Sequence, residues 1–230
     1  MLQGVLGQQV RYVWHHETEL SGLDALILPG GFAHGDYLRA GAVARFSAVM
    51  EGVQRFAAEG KPVLGICNGF QVLLEAGLLP GAMLHNQSQS FACRWVNLRV
   101  EQPASPFLAA CAPGAVLRIP IAHGEGNYFA EPDALARMER RGQVLLRYCE
   151  PDGTITPEAN PNGSVDNIAG VSNEAGNVMG LMPHPERASE AILGSEDGFA
   201  IVRSFVDSAE RAARGAPVDI AVASGAVGSR

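Results

Sequence analysis

The residues best suited to chemistry lie in Gly65-Ile66-Cys67-Asn68-Gly69-Phe70-Gln71. An apolar run, Val63 to Ile66, ends there and a helical pattern begins. A G-x-C-x-G at a strand-to-helix junction is the cysteine form of a nucleophile elbow. Its glycines remove Cβ atoms that would block close approach, and the helix N-terminus beneath the sulfur favours the thiolate. The plainer alternative is a buried structural cysteine at a tight turn. A second cluster is Met182-Pro183-His184-Pro185-Glu186. Each proline biases the residue before it toward an extended conformation. His184 and Glu186 then point to one side, so the carboxylate could hold one ring nitrogen and aim the other at a partner. A surface turn is the alternative, and a metal pair lacks a third ligand at suitable spacing. Third, Pro29-Gly30-Gly31 follows the apolar run Leu23 to Leu28. Two glycines at a strand's carboxyl end can present N–H groups to a developing oxyanion, though Gly-Gly turns are common. Together a cysteine, a histidine and a glutamate supply nucleophile, base and orienter.

These residues need a rigid frame, and the sequence supplies one. Continuous apolar strands alternating with helices predict a parallel sheet covered on both faces. Helical spacing runs from Ala42 to Glu59, and Gly60-Lys61-Pro62 ends it. Phe91 to Val100, Ala115 to Ala122 and Gln143 to Tyr148 read as strands, with a helix opened by Pro132 before the last. Ile168 to Ser172 and Val178 to Met182 flank a hairpin turn. A final helix starts near Glu196 with Ser195 as candidate cap. The result is a three-layer α/β domain with a mostly parallel, flavodoxin-like central sheet over 1–214, and 215–230 reads as a mobile tail.

Composition excludes other classes. The 230 residues are 47% hydrophobic and carry a net charge of −7, which argues against disorder and against nucleic acid as main partner. No apolar run is long enough to span a membrane and no signal peptide is evident, so a cytoplasmic protein is expected. Four cysteines without a C-x-x-C pair make zinc and a disulfide framework poor readings. Asn86-Gln87-Ser88 matches a glycosylation pattern and is set aside for want of a secretory signal.

In this order the three clusters resemble class I, triad-type glutamine amidotransferases. The stretches LPGGFAHGDYLRAGAVARFS, GICNGFQVLLEAGLLPGA, IAHGEGNY and NEAGNVMGLMPHPERA are similar to the glutaminase subunits of phosphoribosylformylglycinamidine synthases, from de novo purine biosynthesis. The resemblance runs from about residue 5 to residue 206. It implies that Cys67 forms a glutamyl thioester, that His184 moves the protons, and that Glu186 orients His184. It implies an oxyanion hole from the N–H groups of Gly31 and Asn68, and glutamine contacts from Gly30 and Gln71. His123 and Glu125 fall in a subfamily motif without an assigned step. No metal or cofactor is expected on this chain, which has no phosphate loop. ATP and magnesium are expected on a large synthetase subunit, with a small accessory subunit as second partner and glutamine as substrate. Asp36 and Arg39 are candidates for the surface that meets the synthetase.

One departure stands out against that family. Its members open with a buried strand and a Pro-Gly-Ser-Asn loop before the first helix. Here Met1 to Gly7 reads as the end of that helix and Val10 to Trp14 as the second strand. The first strand is thus expected to be missing, with roughly 25 residues absent, through a start placed too late or a truncation. That predicts unpaired strand edges and an open core face. Two rival functions stay open: a cysteine peptidase or related hydrolase on the same fold, and an assembly subunit inactivated by the truncation.

Overall fold

A computed structural model describes residues 1–32, 39–213 and 219–224. The chain runs through β1 (Gln9–Trp14), β2 (Ala25–Leu28), α1 (Val49–Ala58), β3 (Val63–Ile66), α2 (Asn68–Glu75), β4 (Ala82–Leu84), β5 (Ala92–Val100) and β6 (Val116–His123). There follow β7 (Asn127–Phe129), α3 (Pro132–Arg140), β8 (Val144–Cys149), β9 (Ile168–Ser172), β10 (Val178–Leu181), α4 (Asp197–Ala212) and β11 (Asp219–Ser224). Nine strands form one α/β sheet in the order β1-β11-β2-β3-β10-β9-β8-β5-β6. The pairs from β1 through β10 are parallel, and those from β10 to β6 antiparallel. A small two-stranded antiparallel sheet, β4 with β7, stands apart; three residues per strand give too little alternation to be read from sequence.

The parallel half carries the elbow, and its packing follows from its glycines. Gly65 of β3 and Gly180 of β10 lie side by side in register. A Cβ on Gly65 would stand 2.5 Å from the Leu73 side chain, and one on Gly180 would stand 2.0 Å from Phe70. The paired glycines thus cut a notch into which α2 sinks its Phe70 and Leu73, both fully buried. Gly69 brings the helix backbone against β2, where an added Cβ would meet the Leu28 carbonyl oxygen at 2.0 Å.

Two features differ from the reading of the sequence. Asp219–Ser224, placed there in a mobile tail, forms β11, while 214–218 and 225–230 lie outside the described residues. β11 pairs with β1 on one side and β2 on the other, so the edges expected to be unpaired are joined. Its order is set by tertiary pairing, which the small residues and flanking Gly and Pro of this stretch do not announce. Ile220 and Ala221 are fully buried. The expectation of an open core face has a counterpart. On the side away from α2, Tyr12, Ile27, Ile66 and Val222 line an apolar trough of about 440 Å³. Beside it Met1–Leu6 makes a single helical turn, with the Met1 carbonyl accepting from the amides of Val5 and Leu6.

Candidate active site

Cys67 begins at the carboxyl end of β3. Its amide donates to the Leu181 carbonyl at 2.8 Å, and its own carbonyl accepts from Gln71 N at 3.1 Å. Held between strand and helix, the residue takes φ 50°, ψ −106°, a conformation few side-chain-bearing residues adopt. The sulfur is directed out of the elbow toward the carbonyl of Ala122, 3.7 Å away.

His184 and Glu186 follow β10, the strand beside β3. The ring nitrogen Nδ1 of His184 lies 2.6 Å from Glu186 Oε1. A carboxylate only accepts, so Nδ1 carries a proton, and in the neutral ring Nε2 is then the acceptor. That Nε2 is buried and has no hydrogen-bond partner among the described residues. The backbone N–H of His184 donates to Pro120 O at 2.9 Å. β6, at the far end of the sheet order from β1, therefore reaches over both the thiol and the imidazole.

The sequence-predicted residues come together around one point. A Cβ placed on Gly30 would stand 2.8 Å from His184 Cε1 and 3.5 Å from Cys67 Cβ. The absence of a side chain at Gly30 is what lets the imidazole approach the thiol. Gly31, Cys67, Gln71 and His184 line a cavity of about 470 Å³. Asn68 does not line it: its side-chain amide donates to Gln71 Oε1 at 2.9 Å, while its backbone opens α2 directly after the sulfur-bearing residue. Gln71 is engaged at both ends, its Nε2 donating to the carbonyl of Glu125 at 2.6 Å. Glu125 in turn accepts from Ala40 N at 2.9 Å and sits 3.3 Å from His85 Nε2. Arg39 is tied to Glu75 by two contacts, at 2.7 and 2.8 Å, and Asp36 lies outside the described residues.

Two contributors outside the triad come from the IAHGEGNY stretch. The carbonyl of Ala122 faces the sulfur, and His123 beside it lines the same cavity, 2% exposed. Burial, reinforced by the nearby His184, lowers the His123 pKa to about 4, so the ring is neutral at ordinary pH. Among the described residues no group of three or more His, Cys, Asp or Glu is arranged to hold a metal ion, and no helix is long and apolar enough to cross a membrane. The arrangement as a whole is a thiol at a strained elbow, an imidazole with one nitrogen fixed by a carboxylate, and a half-open cavity beside both. It suits acyl transfer from a small substrate.

Residues 6–197 match the model of a family described as the CobB/CobQ-like glutamine amidotransferase domain. The chain is 59% identical over 213 residues to the phosphoribosylformylglycinamidine synthase subunit PurQ of Moorella thermoacetica, covering 93% of this chain and 90% of that protein. It is 58% identical over 201 residues to the PurQ subunit of Thermomicrobium roseum, covering 87% and 85%. Among solved structures, PurLQS from Thermotoga maritima contains a chain that superposes with a TM-score of 0.73 at 46% identity, over 82% of this chain and 81% of that one.

Proposed function

Because the chain belongs to the PurQ family, the glutaminase subunits of phosphoribosylformylglycinamidine synthase, we propose that it hydrolyses glutamine through Cys67, His184 and Glu186 and delivers the ammonia to a synthetase partner. The sulfur of Cys67 attacks the carboxamide carbon while His184 Nε2 takes the thiol proton. That proton passes to the leaving nitrogen as the C–N bond breaks, giving a glutamyl thioester and ammonia. His184 then draws a proton from water, whose oxygen attacks the thioester and releases glutamate with the thiol restored. Glu186 keeps Nδ1 protonated and supports the transient imidazolium. The N–H groups of Gly31 and Asn68 are assigned to the developing oxyanion, and Gly30 and Gln71 to the walls of the glutamine site.

The observation that carries this reading is the Nδ1–Glu186 contact of 2.6 Å combined with a buried Nε2, without a partner among the described residues, on the ring that Gly30 admits beside Cys67. ATP and magnesium are assigned to the synthetase subunit and assembly to a small accessory subunit, in the cytoplasm. The Thermotoga maritima structure, named PurLQS, supports a complex of this kind.

The test is glutamate release from glutamine by the chain mixed with synthetase and accessory subunits, beside Cys67→Ala. Release that falls at least about a thousandfold in the variant is expected. Folded protein that binds the synthetase without releasing glutamate would favour an assembly role. Cleavage of peptides with glutamine untouched would favour the hydrolase reading.

A further inference from the structure

The cavity holds a second histidine that the triad does not use, and its surroundings fix its state. Asn86 is fully buried behind it. The side-chain nitrogen of Asn86 donates to two carbonyls, Ser90 O at 2.9 Å and His123 O at 2.8 Å. With both donors committed, the amide cannot be reversed, and Oδ1 is the atom that faces outward. Oδ1 accepts the Gly126 amide at 3.0 Å and lies 3.0 Å from His123 Nδ1. Oxygen cannot donate, so His123 Nδ1 carries the proton and Nε2 is a bare acceptor. That Nε2 is buried without a partner among the described residues. Gly126 clamps the ring, since a Cβ there would stand 2.2 Å from Cε1. The titratable and charged groups that share the cavity with His123 are Cys67, His85, Glu125, His184 and Arg187.

We propose that Asn86 is a positioning residue for the amide substrate: it holds His123 with Nε2 unprotonated, to accept an N–H of the carboxamide nitrogen that leaves as ammonia. A neutral acceptor at this place distinguishes a carboxamide from a carboxylate. The –NH2 group of glutamine has hydrogens to give, whereas the carboxylate of glutamate would set lone pair against lone pair. The two imidazoles then divide the work: His184 exchanges protons, and His123 receives a hydrogen bond without taking the proton. This inference rests on the glutaminase reading above.

Glutaminase kcat/KM in the complete complex, measured against pH for the wild type, Asn86→Asp and Cys67→Ala, tests both separately. A carboxylate against Nδ1–H favours the imidazolium, in which Nε2 becomes a donor. Asn86→Asp is therefore expected to lose activity on the acid side, with the acid limb moved up by about one pH unit or more and recovery at alkaline pH. A uniform loss at every pH would mark Asn86 as merely structural and overturn the proposal. No glutamate release by the wild-type complex would instead sink the glutaminase reading, and full activity in Cys67→Ala would remove the thiol from it. Because Asn86→Asp also gives up two donated bonds, a second measurement avoids that variant. Nitrogen-15 histidine spectra of the Cys67→Ala chain in the complex, assigned by His123→Gln, are expected to show Nδ1 protonated and Nε2 bare. The Nε2 signal is expected to move with glutamine and not with glutamate. The opposite tautomer, or no response to glutamine, would overturn the assignment.

Discussion

At the scale of single residues, Cys67 trades stability for reach. Its φ of 50° with ψ of −106° is a backbone state that costs a non-glycine residue about 1–3 kcal/mol. The Leu181 and Gln71 hydrogen bonds and the helix seated in the glycine notch hold it there. Two variants that both remove the thiol separate this strain from the chemistry. Cys67→Gly relaxes the backbone and Cys67→Ala does not, so the glycine variant is expected to be the more stable by about 1 kcal/mol or more. Denaturant midpoints decide it, and an alanine variant as stable as the glycine one would show that the elbow stores no strain. The placement of the candidate residues in one site is the most legible part of the sequence. Cys67, His184 and Glu186 each sit in a short motif whose neighbours, two glycines or two prolines, dictate backbone shape locally. Asn86 and His123 are not legible in that way. They lie 37 positions apart, and only the folded chain shows that one amide sets the tautomer of the other's ring.

At the scale of elements, the site depends on how closely α2 approaches β2 and β3. Gly69 is the contact point, and rigid backbone rather than a movable side chain would meet any substituent there. Gly69→Ala is expected to destabilise the fold by about 1–3 kcal/mol and to lower glutaminase activity out of proportion to the folded fraction, since α2 carries Gln71 and begins directly after Cys67. Thermal melts alongside activity per folded molecule provide the check; a neutral effect on both would mean that the helix can shift without cost. The helices and most sheet strands could be read from apolar runs and their punctuation. The cap itself is displaced by one residue: Glu196, not Ser195, occupies the cap position of α4, and the Ser195 hydroxyl accepts from Asp197 N at 3.1 Å from just outside it. The antiparallel half was readable as strands but not as a cover for the site. That β6 brings Pro120 O to His184 and Ala122 O to Cys67 depends on the path of the whole sheet.

At the scale of the whole molecule, β11 is the decisive element and the least legible one. DIAVAS is short and built largely of small residues, and only its two neighbours make a strand of it. A chain ending at Ala213 would leave facing edges on β1 and β2 and forfeit the burial of Ile220 and Ala221. Its unfolding free energy is expected to drop by at least about 2 kcal/mol in urea titrations. An unchanged midpoint would show that β11 contributes nothing to stability. The position of β11 also sets a timetable for the chain as it leaves the ribosome. Gln9 is paired with Asp219, 210 positions later. At typical synthesis rates, the nascent β1 waits roughly 10–40 s for the strand that joins it to the rest of the sheet. Through that interval β1 lacks its parallel partner and is in need of shielding. Slowed translation between the two would lengthen its exposure to aggregation, whereas the elbow, whose strand and helix are neighbours in the chain, would assemble on schedule.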